Sequence, residues 1–329
     1  MKHNSPASVG LAILAGITLL TPAFGAVNID WAMVGNPGNP ADTTGYGAVG
    51  YAYKIAQNET TTGQYCEFLN AAARSDPHGL WDFGMATNAN VSGITRSGSS
   101  GSYRYAVVAG SANKPISYVS WFDAARFANW MQNGQGNGST ETGAYTLNGA
   151  SSGVILKNAA ALVWIPSENE WYKAAYYDPT KDGTGGYWQY PTQSNTLGDN
   201  IVGTAGGANY LITSPTVRYA VNQSTFNSTT NFLTDVGAYG ASVSYFGTFD
   251  QAGNVDEWND SVSSGGYRGK RGGYWAGTSY LSRSGRNANL PDFESNTIGF
   301  RLATVPEPGC AVLTLLASGW VALLGRRRR

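Results

Sequence analysis

GNVDEW at Gly253–Trp258, RGGYW at Arg271–Trp275 and IGFR at Ile298–Arg301 stand close together in one stretch of this 329-residue chain. Asp250 and Glu257 flank a turn that contains Gly253. A hard cation such as calcium takes roughly six to eight oxygens, commonly mixing carboxylates with backbone carbonyls. The side chains of Asp250 and Glu257, with the carbonyls of Gly253 and Val255, offer part of such a shell. The same residues also suit a second arrangement, in which Glu257 pairs with an arginine such as Arg271 or Arg301 and Asp250 caps a turn. The residues alone leave both open.

Two longer phrases lie upstream. PISYVSWFDAARFANW (Pro115–Trp130) predicts a short strand at 115–120 running into a helix. Ser120 is a good N-cap, and Asp123 sits where a capping-box partner belongs. Ala124, Phe127, Ala128 and Met131 form its buried stripe. IPSENEWYKAAYY (Ile165–Tyr177) repeats the pattern, with Ser167 as cap, Glu170 three residues on, and Trp171, Ala174 and Ala175 facing inward. An earlier helix is predicted over 58–73, with Tyr65, Phe68, Leu69 and Ala72 on one face and Cys66 off it. Strand-like alternation marks 51–56. Residues 36–50 read as an irregular loop, 88–102 as a solvated Gly/Ser loop, and 132–158 as a Gly-rich surface hairpin or loop. No internal repeat is visible. The pattern is that of one large α+β domain with a sizeable core.

In order and spacing, these five phrases resemble the formylglycine-generating enzyme (sulfatase-modifying factor) family over roughly Tyr51 to Ala303. The resemblance implies an α+β, C-type-lectin-like fold with little regular secondary structure. It implies calcium ligands in the loop of Asp250, Gly253, Val255 and Glu257, with Asp250 where the family usually has Asn, and a second calcium site near Asn200 and Ile201. The family oxidase works with two thiols and a copper ion held between them. Its cysteines match Gly277 and Ser282 here, and Tyr274 stands where it has serine. Copper(I) selects soft thiolates; glycine has no side chain, and a serine hydroxyl is neither soft nor redox-active. No cysteine lies between Glu67 and Gly309, so this reading does not depend on register. The segment that borders the family's substrate groove makes Tyr274, Tyr280, Arg283, Arg286 and Asn287 binding candidates, since aromatic and arginine side chains are good anchors. Trp275 is expected in the core.

The ends read as processing signals. Residues 1–25 carry Lys2, the apolar run Val9–Leu20 and a small-x-small triplet at Ala23–Gly25, the layout of a secretory signal peptide. Val305–Pro308, the apolar stretch Gly309–Leu324 and Arg326–Arg329 resemble a PEP-CTERM sorting signal over 305–329, with the arginines on the cytoplasmic side. Domain boundaries are therefore expected at 1–25, 26–304 and 305–329. Export to the cell surface, outer membrane or extracellular matrix of a Gram-negative bacterium follows as an expectation, with transient membrane contact through the C-terminal segment and contact with the export and sorting machinery.

Basic and acidic residues both number 21; without Lys2, Glu307 and the arginine tail the net charge is about −4. No basic tract outside that tail invites nucleic acid. The chain has two cysteines, Cys66 and Cys310, and two histidines, His3 and His78. Trimmed at both ends, it keeps one of each. One Cys and one His cannot build a zinc site of Cys/His type or a three-histidine iron site, so no copper, zinc or iron is expected, and structural calcium is the one metal in view. His78, in a turn-like segment, reads as a solvated loop residue. The chain thus reads as an exported binding or matrix protein without the catalytic cysteine pair, with an unidentified glycan or protein as ligand. The alternative is an enzyme that uses carboxylates or arginines of the groove in a different chemistry.

Overall fold

The computed structural model describes residues 26–306. The signal peptide expected at 1–25, and the sorting segment from Glu307 onward, lie outside the described residues.

Three helices are set by their caps. Thr61, Ser120 and Ser167 precede the helices Thr62–Ala72, Trp121–Gln132 and Glu168–Tyr176, and each accepts from the backbone N–H three residues on. Gln64, Asp123 and Glu170 reach back to the cap N–H, so each helix start has two otherwise orphaned donors satisfied. The boxes at Ser120 and Ser167 were legible in sequence. The one at Thr61 shortens the helix expected over 58–73, because residues just before it pair instead with distant chain: Thr60 N–H donates to Phe300 O and Ile116 N–H to Thr60 O.

Two four-stranded sheets and two small hairpins complete the α+β architecture. The first sheet runs Trp31–Val34, Tyr53–Ala56, Ala303–Thr304, Val163–Trp164, with all neighbours antiparallel. The second runs Asn287–Asn289, Arg268–Arg271, Asp256–Val262, Ile298–Gly299, its last pair parallel. The IGFR phrase therefore leaves the second sheet and enters the first within a few residues. Successive side chains along it point to opposite sides. Phe300 enters an aromatic core with Tyr65 and Phe127, at ring separations of 6.4 and 5.4 Å, while Arg301 faces Glu257. Gly299 permits the crossing: a Cβ there would lie 2.6 Å from Ile116 O.

One strand and one loop expectation are corrected, while the surface loop expected over 132–158 holds, with an antiparallel bridge between Tyr145 and Lys157. The segment 115–120 is not a strand beyond a single bridge from Pro115 to Thr61, because Tyr118 takes a left-handed φ of 58° and its N–H turns to Ser295 O. The 88–102 segment is not simply solvated. Val91 and Ile94 are buried, and Ile94–Ser97 pairs with Arg104–Val107. The 132–158 loop is pinned by Tyr145, fully buried and edge-on to Trp121 at 5.1 Å. In the last two cases apolar residues too sparse to show a period found a tertiary partner.

Candidate functional site

The GNVDEW turn is held from two sides. Gly253 takes φ 82°, and a Cβ there would collide with the carbonyl of Asn209, to which Asn254 N–H donates. Beyond the turn, Glu257 enters the central strand and is fully buried. Its Oε2 accepts from Arg301 Nε at 2.6 Å and from Trp171 Nε1 at 2.8 Å, and its Oε1 accepts from Arg301 Nη2 at 2.7 Å. The other N–H groups of Arg301 go to the carbonyls of Ala56, Gln57 and Phe249. All five guanidinium donors are thus used. Burial works against the charge of Arg301, yet Glu257 beside it holds its pKa above the ordinary value. Arg271 lies directly opposite Glu257 in the strand ladder but pairs elsewhere, with Glu168.

These contacts are those of the second arrangement the sequence left open, the ion pair with a turn at Asp250. The expected calcium shell of Asp250, Gly253, Val255 and Glu257 does not fit as arranged. Both oxygens of Glu257 are committed to a guanidinium, and Asp250 Oδ2 accepts from Gly237 N–H at 2.5 Å, as in a turn. Burial pushes the Asp250 carboxyl up to about 6 and Glu59, close by, well above its usual range. A neutralising cation is already supplied by Arg301. Around Asn200 an arginine is again in place: Arg218 bonds Asp199 Oδ2 at 2.6 Å and Asn200 Oδ1 at 3.4 Å, while Ile201 is exposed. Among the described residues no group of three His, Cys, Asp or Glu is placed to hold a metal ion.

The positions matched to the oxidase cysteines are turn residues. Gly277 N–H donates to Tyr274 O, and the Ser282 hydroxyl lies 3.0 Å from that of Ser284. Cys66 is buried in the first helix, where burial pushes its thiol up to about 11. That is the direction of an inert cysteine. His78 is only partly solvated, with Nε2 3.3 Å from Glu141 Oε1. Trp275 is buried as expected.

The remaining candidates divide. Arg283 and Arg286 come together with Arg271 around two carboxylates. Arg283 Nη1 lies 2.5 Å from Asp42 Oδ1, and Arg286 Nε 3.1 Å from Glu168 Oε2. Arg271 bonds the other oxygen of Glu168. The carboxylates are nearly buried, whereas the side chains of Arg283 and Arg286 remain 26% and 29% exposed. Tyr46 lies beneath Arg271 and Arg286, its ring centroid 5.0 and 5.8 Å from their guanidinium carbons. Burial would raise Asp42, but hydrogen bonds from Tyr172 and Thr43 and the charge of Arg283 outweigh it and hold the carboxyl below the usual range. Three guanidinium groups face two carboxylates, so this face carries one positive charge in excess. Tyr274 is partly buried, while Tyr280 and Asn287 are exposed, and none of them shares a hydrogen bond with these arginines among the described residues.

Sequence reasoning missed Asp42, Tyr46 and Glu168. Asp42 and Tyr46 sit in an irregular loop with no periodic signal. Glu168 reads as an ordinary first-turn acid of a helix. Their roles come from approach across 241 and 118 positions of chain.

A sequence-family model described as Sulfatase-modifying factor enzyme 1-like domain matches residues 40–305. No curated protein matches the chain. Among solved structures, CarF superposes with a TM-score of 0.51 at 20% identity, over 85% of this chain and 99% of its own. Treponema denticola variable protein 1 gives a TM-score of 0.49 at 18% identity, covering 86% of this chain and 97% of its own. PvdO from Pseudomonas aeruginosa gives 0.41 at 16%, covering 84% and 92%.

Proposed function

We propose, from the premise that this chain belongs to the sulfatase-modifying factor enzyme 1-like family, that it is an exported, non-catalytic binding domain. Its Arg283–Arg286 face takes an anionic ligand of the cell surface or extracellular matrix, with an acidic polysaccharide as the best chemical fit. The observation that carries this is the pair of partly exposed guanidinium groups, each anchored on a nearly buried carboxylate, with one positive charge left over. Anchoring fixes the forks before a ligand arrives, so little side-chain freedom is lost on binding. Exposed Tyr280 and Asn287 border the same segment and add a stacking surface and an amide. The non-catalytic part rests on the cysteine inventory: Cys66 is buried and Cys310 falls in the sorting segment, so no second sulfur is offered to a copper ion.

Two measurements test the two halves. On immobilised polygalacturonate, Arg286→Ala is expected to weaken binding about three- to tenfold at unchanged melting temperature, because Arg271 still neutralises Glu168. Binding of equal strength in the variant would end the anionic-ligand reading. For the second half, a Cys-x-Pro-x-Arg peptide incubated with the protein and added copper is expected to yield no formylglycine above a no-protein control. Conversion above that control would restore the oxidase.

A further inference from the structure

A second face, built from residues other than the arginine cluster, has the construction of a platform for uncharged ligands. Phe226 is 53% exposed, an unusual position for a phenylalanine held so firmly from below. Its ring stacks on Phe232 at 5.7 Å and 22°, and Phe232 stacks on Trp275 at 5.2 Å and 2°. Tyr219 flanks all three rings, at 6.0, 4.5 and 5.9 Å. Phe232 and Trp275 are buried, and the indole N–H of Trp275 is bonded to Asn296 O. The loop carrying Phe226 is tied down from behind by Asn90, whose amide donates to the carbonyls of Asn227 and Thr230. The outermost ring is therefore presented at a fixed tilt.

Around that ring lies an open cavity of about 590 Å³, lined by Asn222, Ser224, Thr225, Phe226, Asn227 and Ser228. That volume is within the range that holds a small organic ligand. Residues 219–234 contain no charged side chain. The amides of Asn222 and Asn227 make local turn bonds, whereas the hydroxyls of Ser224, Thr225 and Ser228 have no protein partner among the described residues.

We infer that this cavity binds a neutral saccharide, with one sugar ring laid on Phe226. A pyranose offers an apolar C–H face to an aromatic ring and hydroxyls at its edge to amide and hydroxyl side chains. A purely apolar partner would cover the free hydroxyls without bonding them, and a charged one would find no charged side chain among the lining residues. The site is separate from the arginine face in residues and in the charge of its ligand.

The test titrates the purified full chain with neutral hexasaccharides of glucose, mannose, galactose and N-acetylglucosamine up to about 10 mM. At least one should bind. Phe226→Ala should weaken it about tenfold, and Phe226→Tyr should retain it. Arg286→Ala should leave it unchanged, and Phe226→Ala should leave polygalacturonate binding unchanged, so the two sites fail independently. Should Phe226→Ala lower the melting temperature, Thr225→Val with Ser228→Ala takes its place and must weaken binding at unchanged melting temperature. Absence of binding across the panel, or equal binding by the variants, overturns the site.

Discussion

Arg301→Met is expected to cost about 3–5 kcal/mol of stability, the usual loss when one partner of a buried ion pair is removed. The cause is what remains behind. Glu257 stays fully buried with Trp171 Nε1 as its surviving side-chain donor, and Glu59 and Asp250 stand close enough to add to its burden. Three carbonyls, those of Ala56, Gln57 and Phe249, lose a donor at the same time. Thermal unfolding should show a melting temperature lower by roughly 6–15 °C. Glu257→Gln in the same chain should recover part of the loss, because the uncompensated charge is then gone. A single variant that melts like the parent would mean that the node does not hold the two sheets together. A double variant no better than Arg301→Met would place the cost in the three carbonyls rather than in the charge.

Glu294→Gln should act in the opposite direction, raising stability above neutral pH. Burial, the neighbouring charges of Asp123 and Asp82, and hydrogen bonds shared with both push the Glu294 carboxyl up to about 9. Asp123 is itself raised to about 6, by burial that outweighs its bonds from Ser120 and the charge of Arg126. Because Glu294 ionises at a higher pH in the folded chain than in the unfolded one, the folded state keeps a proton that the unfolded state has released. Its contribution to stability is complete below about pH 4.5 and is lost as pH rises toward about 9. Asp250 and Asp260, raised to about 6 and about 7, act in the same sense but finish titrating near neutrality. Across pH 7 to 9 Glu294 contributes a falling slope, held by solvent below the one-proton limit of about 1.4 kcal/mol per pH unit, while Lys173, lowered by burial to about 8, contributes a rising one; the difference between parent and glutamine variant isolates Glu294. Relative to the parent, the glutamine variant should lose that fall, so its gain in melting temperature grows across the window and is larger at pH 8.5 than at pH 7. An unchanged slope would show that the three carboxyls are not coupled in this way.

Both effects depend on partners that the fold selected. Glu257 had two arginines in reach of the pattern. The ladder places Arg271 opposite it, yet Arg271 turns to Glu168, and Arg301 arrives from the crossing between sheets. Glu294 gave no signal, since no spacing in sequence links it to Asp82 and Asp123. The expected calcium shell meets the same limit: its oxygens are present, but a guanidinium reached those of Glu257. Arg283 and Arg286 were legible as residue types, whereas the carboxylates that hold them, Asp42 and Glu168, were not.

Local order in the chain determined what local forces control. Caps at Ser120 and Ser167, the apolar faces behind them, the cysteine inventory and the family phrases all follow from neighbours within a few residues. Tertiary structure alone decided which charge meets which, because Coulomb attraction and hydrogen bonding select by distance in space, and the chain offers many chemically equal partners. Asp42 and Arg283, separated by 241 positions, become neighbours only once the sheets have closed.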